Sequence, residues 1–312
     1  MNWYSGAYLD RALRRDAERL AAAHLDADAL MVPLWHGRSL VRAMAADSTR
    51  LRAVLPTRAY LQASGLPCGA PIALGLFRGQ ACFALELQSE TMPDAEQFAR
   101  GAQFADLRQI GMLLDASEAG LLAYARAMVH WLRTHRHCGL CGSRNELAAT
   151  GHALRCSNAQ CGHEQFPRLD PAIIVLVHDG DQALLGRQSA WPPDRYSTIA
   201  GFVEPGESLE DAVAREVAEE TAIRVTDIVY HSSQPWPFPS SLMLGFTARA
   251  TTRDIILDDR ELEDARWFSR ADIAAGRPRL PPRQSVAYRL IEHWYDGGAE
   301  RPLAEEPGAA RW

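Results

Sequence analysis

The sequence predicts an α/β protein. Its C-terminal half builds a mixed sheet with helices packed on it, preceded by a small metal-binding ribbon and an N-terminal α+β segment. Three observations predict this. Two short-spaced cysteine pairs, Cys138/Cys141 and Cys156/Cys161, fall within one window. Strand-like apolar runs mix with few helices from residue 169 to about 298. One of those helices carries Glu216, Glu219 and Glu220 within a single turn.

The chain has 312 residues, enough for two or three domains. Apolar residues make up 47% and charged residues 23%, the usual balance of a globular protein. A formal net charge of −6 disfavours grip along a nucleic-acid duplex. No apolar run is long enough to span a bilayer. The opening MNWYSGAYLDRALRRDAERL lacks the apolar centre of a secretion signal, so a cytoplasmic protein with no membrane partner is expected. All 33 basic residues are Arg. That excludes Schiff-base chemistry on a lysine and leaves planar guanidinium forks for phosphate contacts.

Residues 1–132 read as an α+β scaffold or dimerisation domain. PIALGLFRGQACFALELQ gives two strands around a turn at Arg78-Gly79. From 116 to 135, Leu121, Tyr124, Ala125, Met128 and Leu132 recur at helical spacing, with Ser117 as the expected cap. Cys68 and Cys82 read as small buried apolar residues. No catalytic cluster is visible in this part, and no internal repeat is visible along the chain.

Residues 133–168 read as a ribbon. Two residues separate Cys138 from Cys141, and four separate Cys156 from Cys161. Paired thiolates at such spacing converge into a tetrahedron around Zn²⁺. Gly139, Gly142 and Gly162 suit the tight turns of metal knuckles. All four ligands come from protein, so the Zn²⁺ is structural: it holds together a segment too small to build its own core. The stretch holds five Arg against two Glu. Such a basic ribbon offers contact to RNA phosphates, although a solvated surface is the plainer reading.

Residues 169–300 form the third part and 301–312 a Pro-containing tail expected to be flexible. AIIVLVHDGDQALLGRQ predicts a hairpin turning at Asp179-Gly180-Asp181, and YSTIAGFV a further strand. In GFVEPGESLEDAVAREVAEETAI, Ser208 caps a helix with Asp211 in the capping-box position. Ala212, Val213, Val217 and Ala218 supply its apolar face. Glu216 and Glu220, four residues apart, project from one face about 6 Å apart along the axis. Like charges this close weaken a helix unless a counter-ion resolves them, and hard divalent cations bind carboxylate oxygens. That is the equipment of phosphoanhydride hydrolysis.

The whole segment resembles the Nudix box, through Gly201, Glu207, Arg215, Glu216, Val217, Glu219, Glu220 and Ile223. Its final Gly is replaced by Ala222, where a positive φ is often required and Ala costs about 1 kcal/mol. The resemblance implies a Nudix α/β/α sandwich. It also implies Mg²⁺ or Mn²⁺ held by Glu216, Glu220 and the carbonyl of Ala200, with Glu219 as a further ligand or the base. Arg215 is expected to pair with Glu207.

A second motif, SQPWPFPSS, is similar to the signature that follows the box in NADH pyrophosphatases of the NudC type, whose members also remove NAD caps from RNA 5′ ends. Prolines 235, 237 and 239 stiffen this segment, and Trp236 and Phe238 add aromatic surface. The resemblance implies substrate contacts at Gln234, Pro235, Trp236, Pro237, Phe238, Pro239, Ser240 and Ser241. It implies others at Phe202, which would stack on nicotinamide, at Phe166, where the family carries Tyr, and at Ala287. Glu261 matches a late metal-binding Glu. Gly151 stands where some members carry an acidic substrate contact. The implied activity is hydrolysis of NAD(H) to NMN(H) and AMP by a homodimer, with capped RNA 5′ ends as further partners. Rival readings are hydrolysis of other nucleoside diphosphate derivatives of the ADP-ribose type and a non-catalytic nucleotide sensor. The sensor predicts lost box carboxylates, and these are present.

Overall fold

The computed structural model describes residues 2–6, 8–257 and 261–310. The chain forms two compact units. One comprises 3–169 with 236–240, and the other 170–235 with 241 onward, joined by Asn2.

The second unit is built on Asp170–His178, which turns at Asp179 into its hairpin partner Gln182–Arg187 and runs parallel to Ser241–Ala250. Val225–Trp236 and Asp264–Ser269 flank the sheet, and Ile199–Phe202 pairs with the central strand. The central strand is an uninterrupted apolar run because both faces are covered. Ile173, Val175 and Val177 pack with Ala212, Val213 and Val217 of the Leu209–Thr221 helix. Ile174 and Leu176 face Val286, Leu290 and Ile291 of the Val286–Asp296 helix. The alternation of the strand thus dictates helix on sheet on helix, an α/β/α sandwich.

The first unit holds a seven-stranded sheet and the small ribbon sheet of Asn145–Ala148, Ala153–Cys156 and Glu164–Gln165. Its large sheet repeats the order of the second unit, which the sequence reading did not find. Leu30–Trp35 hairpins to Arg38–Ala43 and runs parallel to Gln80–Glu86, which neighbours Ile72–Phe77. Ala102–Ala105 pairs with Arg38–Ala43 as Asp264–Ser269 pairs with Gln182–Arg187. Where the second unit has the thirteen-residue glutamate helix, the first has only the six-residue Arg58–Ala63. Strand order is set by which strands pair at long range, so a shared order leaves no periodic signature in the residues.

Three expectations are corrected. The Ala116–Thr134 helix is capped by Asp115, whose side chain accepts from Ser117 N at 2.9 Å, and not by Ser117. That helix is also buried well beyond one stripe, at Ala119, Leu122, Val129 and Trp131 as well. The tail is packed as far as Ala310; residues 311–312 lie outside the described residues. Leu303 is fully buried, its N–H donates to Asp296 Oδ1 at 2.7 Å, and Leu280 N donates to Ala310 O at 2.8 Å. One apolar anchor outweighs the polar composition that suggested flexibility.

Candidate active site and metal centres

The glutamate helix starts where Ser208 Oγ accepts from Asp211 N at 3.1 Å while Asp211 Oδ2 accepts from Ser208 N at 3.2 Å. Ala212, Val213 and Val217 are buried, whereas Ala218 faces solvent, against expectation. The helix ends at Ala222, which has φ 59° and donates its N–H to Ala218 O. The left-handed exit anticipated for a Gly is therefore made by Ala.

Arg215 organises the face beside it. It donates from Nε to Glu207 Oε1 at 2.5 Å and from Nη2 to Glu207 Oε2 at 3.0 Å. Nη1 reaches Glu216 at 3.0 Å and Glu219 at 2.9 Å, and Nη2 also reaches the Phe202 carbonyl at 2.9 Å. This planar fork orients two helix carboxylates and ties the helix to the strand carrying Ala200 and Gly201. The Arg215 hydrogen bonds hold Glu207 below the usual carboxylate range. Gly201 has a separate reason to be Gly: a Cβ there would lie 1.9 Å from Glu216 Cδ.

The structure gathers Glu216 and Glu220 with Glu261, from outside the helix, so that one carboxylate oxygen of each lies within 4.8 Å of the others. Glu216 and Glu220 are buried and Glu261 is exposed. Burial, then the neighbouring Glu216, Glu261 and Glu219, push Glu220 up to about 8. Burial also raises Glu216, opposed by Arg215. Among the described residues Glu220 and Glu261 have no cationic partner, so the negative charge of the cluster is only partly compensated, by Arg215 at Glu216. A set of hard oxygen donors in this state fits divalent cations.

The SQPWPFPSS segment does not form one wall. Gln234 is buried, donating to Gln284 O and accepting from Val286 N, each at 2.9 Å, and so anchors the start of the closing helix. Ala287 is buried in that helix. Trp236 to Ser240 belong to the first unit, where Phe238 enters the apolar core. Arg126 Nε donates to Pro237 O at 3.1 Å and stacks over the Phe238 ring at 5.3 Å. Tyr4 lies edge-on to Trp236 and Phe238. No local sequence signal marks Arg126, more than a hundred residues upstream. Phe202 and Phe166 are 60% and 66% exposed, so their side chains are accessible for stacking. Gly151 has φ +92°, and a Cβ there would come 2.9 Å from the Ile72 side chain, so any larger residue at this position is strained.

In the ribbon, Cys138, Cys141, Cys156 and Cys161 place their sulfurs within 4.8 Å of one another. Cys138 and Cys161 sulfurs are 3.8 Å apart, and those of Cys141 and Cys156 3.4 Å. A tetrahedron with Zn–S near 2.3 Å has edges of about 3.8 Å, so the four thiols fit Zn²⁺. Without the ion the four thiols do not titrate alike: hydrogen bonds from Ser143 lower Cys141, whereas burial raises Cys156.

The sandwich and its carboxylate helix define a Nudix pyrophosphohydrolase, and residues 168–291 match the NUDIX domain model. Residues 28–131 match the NADH pyrophosphatase-like rudimentary NUDIX domain, which accounts for the repeated strand order, and 133–166 the NADH pyrophosphatase zinc ribbon domain. The chain is 42% identical over 255 residues to NAD-capped RNA hydrolase NudC of Stutzerimonas stutzeri, covering 82% of this chain and 88% of that one. It is 40% identical over 250 residues to its namesake in Pseudomonas aeruginosa, covering 80% and 84%. NAD-capped RNA hydrolase NUDT12 of Homo sapiens is 39% identical over 196 residues, 58% of this chain and 42% of that one. The chain belongs to the NADH pyrophosphatase (NudC) family of Nudix hydrolases. No helix among the described residues is long and apolar enough to cross a membrane.

Proposed function

We propose that the protein hydrolyses the pyrophosphate bond of NAD(H), giving NMN(H) and AMP, and removes NAD caps from RNA 5′ ends. The observation that carries this is the convergence of Glu216, Glu220 and Glu261 within 4.8 Å. The names of the NudC relatives support the substrate, and the family resemblance supports a cytoplasmic homodimer.

In this reading Glu216, Glu220 and Glu261, with the Ala200 carbonyl, hold Mg²⁺ or Mn²⁺, and Glu219 is a further ligand or the base. Such ions supply charge neutralisation for the diphosphate and a lowered pKa for water. A water oxygen bonds to one phosphorus, the bridging P–O bond breaks, and each product leaves with one phosphate. The water's proton passes to the carboxylate of Glu219 or Glu220. Arg215 keeps Glu216 and Glu219 in place throughout. The exposed Phe202 ring offers nicotinamide a stacking face, and Phe166 offers a second aromatic face without a hydroxyl. Within 234–241, the buried Gln234, Pro237, Phe238 and Ser241 fix the chain path. Pro235, Trp236, Pro239 and Ser240 keep accessible surface, and the family resemblance assigns these positions and Ala287 to substrate contact. Cys138, Cys141, Cys156 and Cys161 would hold Zn²⁺ with no open position, so it would brace the ribbon and take no part in hydrolysis.

The test is chromatography of products from NADH, NAD-capped RNA and ADP-ribose, each incubated with the purified protein and Mn²⁺ or Mg²⁺. NMNH with AMP, and RNA ending in a 5′-monophosphate, are the expected products. Cleavage of ADP-ribose alone would overturn this substrate reading.

A further inference from the structure

Within the first unit, a cavity of ≈ 480 Å³ opens between the end of the Ala116–Thr134 helix, the Ile72 and Glu86 ends of two strands of the large sheet, and the ribbon. Its volume lies in the range of sites for small organic ligands. None of its lining residues belongs to the carboxylate cluster.

Ile72, Val129, Leu132 and Leu154 make an apolar floor. Charge is placed at the rim. Arg133 is engaged by Glu86 at 3.8 Å, whereas Arg136 and Arg144 are exposed, with no side-chain hydrogen bond or ion pair to any described residue. Two unengaged guanidinium forks above an apolar floor suit a phosphate attached to a flat, largely apolar body. The exposed Glu146 carboxylate, His135 and two amide side chains also line the cavity. The Gln88 side chain is exposed and carries no hydrogen bond within the described residues. Asn145 is only 9% exposed; it donates Nδ2 to His135 O at 2.9 Å and leaves Oδ1 buried without a partner. A buried carbonyl of this kind wants a donor, and free carboxamides pair with the adjoining acceptor and amine of adenine.

We propose that this cavity is a second nucleotide site, separate from the catalytic one, for a purine nucleoside phosphate of the adenine type. Its phosphate would meet Arg136 and Arg144, its base would lie on the Leu132 and Leu154 floor, and its edge would face Gln88. The same chemistry is offered by free AMP and by an adenine nucleotide within an RNA strand.

Photocrosslinking with 8-azido-AMP tests this on the full-length, zinc-loaded protein, with the labelled peptides located by mass spectrometry. The Glu220→Gln background prevents turnover from confusing the readout. Label is expected within residues 69–88 or 129–154. It should fall by roughly tenfold or more in Arg136→Ala/Arg144→Ala, two exposed positions whose replacement leaves zinc content unchanged. Competition by AMP but not by short oligoadenylate assigns the site to free nucleotide, and stronger competition by the oligomer assigns it to RNA. Label confined to residues 170–310, label indifferent to the double substitution, or equal competition by inorganic phosphate would each overturn the proposal. Because labelling requires no hydrolysis, its outcome is read separately from that of the NADH assay.

Discussion

The carboxylate of Glu216 lies directly against the Cα of Gly201, so closely that a Cβ would sit 1.9 Å from Glu216 Cδ. The strand and the helix meet here with no room for a methyl group. Gly201→Ala must push Glu216 out of the cluster and away from Arg215. Titrating activity against Mn²⁺ should then show a requirement raised, or a rate lowered, by roughly 10–100-fold. A parent-like metal titration would mean that Glu216 tolerates displacement.

Ala222 closes the same helix at φ 59°, a conformation that penalises an L side chain. Ala222→Gly should stabilise the fold by about 1 kcal/mol, seen as a higher urea midpoint with an unchanged slope. An unchanged or lower midpoint would show that the backbone there is not strained.

His152 is held as a neutral imidazole. Its Nε2 lies 2.6 Å from Ala73 O, while Arg14 Nη1 lies 2.9 Å from Nδ1, so Nε2 carries the proton and Nδ1 accepts. Burial, and then Arg14 and Arg11, lower its pKa below 6.5. Between the folded value and 6.5 the unfolded chain binds more protons, so stability rises with pH through that window. The contribution is complete above the unfolded value and is lost as pH falls. Melting curves from about pH 7 to about pH 5 should therefore show a shallower loss for His152→Gln than for the parent. Equal slopes would remove His152 as a contributor.

Readable in the sequence were the features whose geometry is local. Glutamates four apart on a helix must share a face, and two short-spaced cysteine pairs must meet. Ser208 and Asp211 close a cap within three residues. Features decided by distant partners stayed hidden. Phe238 is drawn into the first unit's core beside Tyr4 and Arg126, far upstream, so the sequence alone offered its ring as aromatic surface for substrate. The repeated strand order was hidden because apolar strands carry no order of their own. The tail's packing depends on Leu303 finding a cluster that includes Ile273 and Trp294, and composition does not show that.

The most direct test of the central claim is NADH turnover by Glu220→Gln, measured beside the parent at saturating Mn²⁺ with zinc content and melting temperature as folding controls. The carboxylate cluster predicts a loss of roughly 10²–10⁴-fold with the fold and zinc retained. Parent-like turnover by a folded Glu220→Gln protein would contradict it.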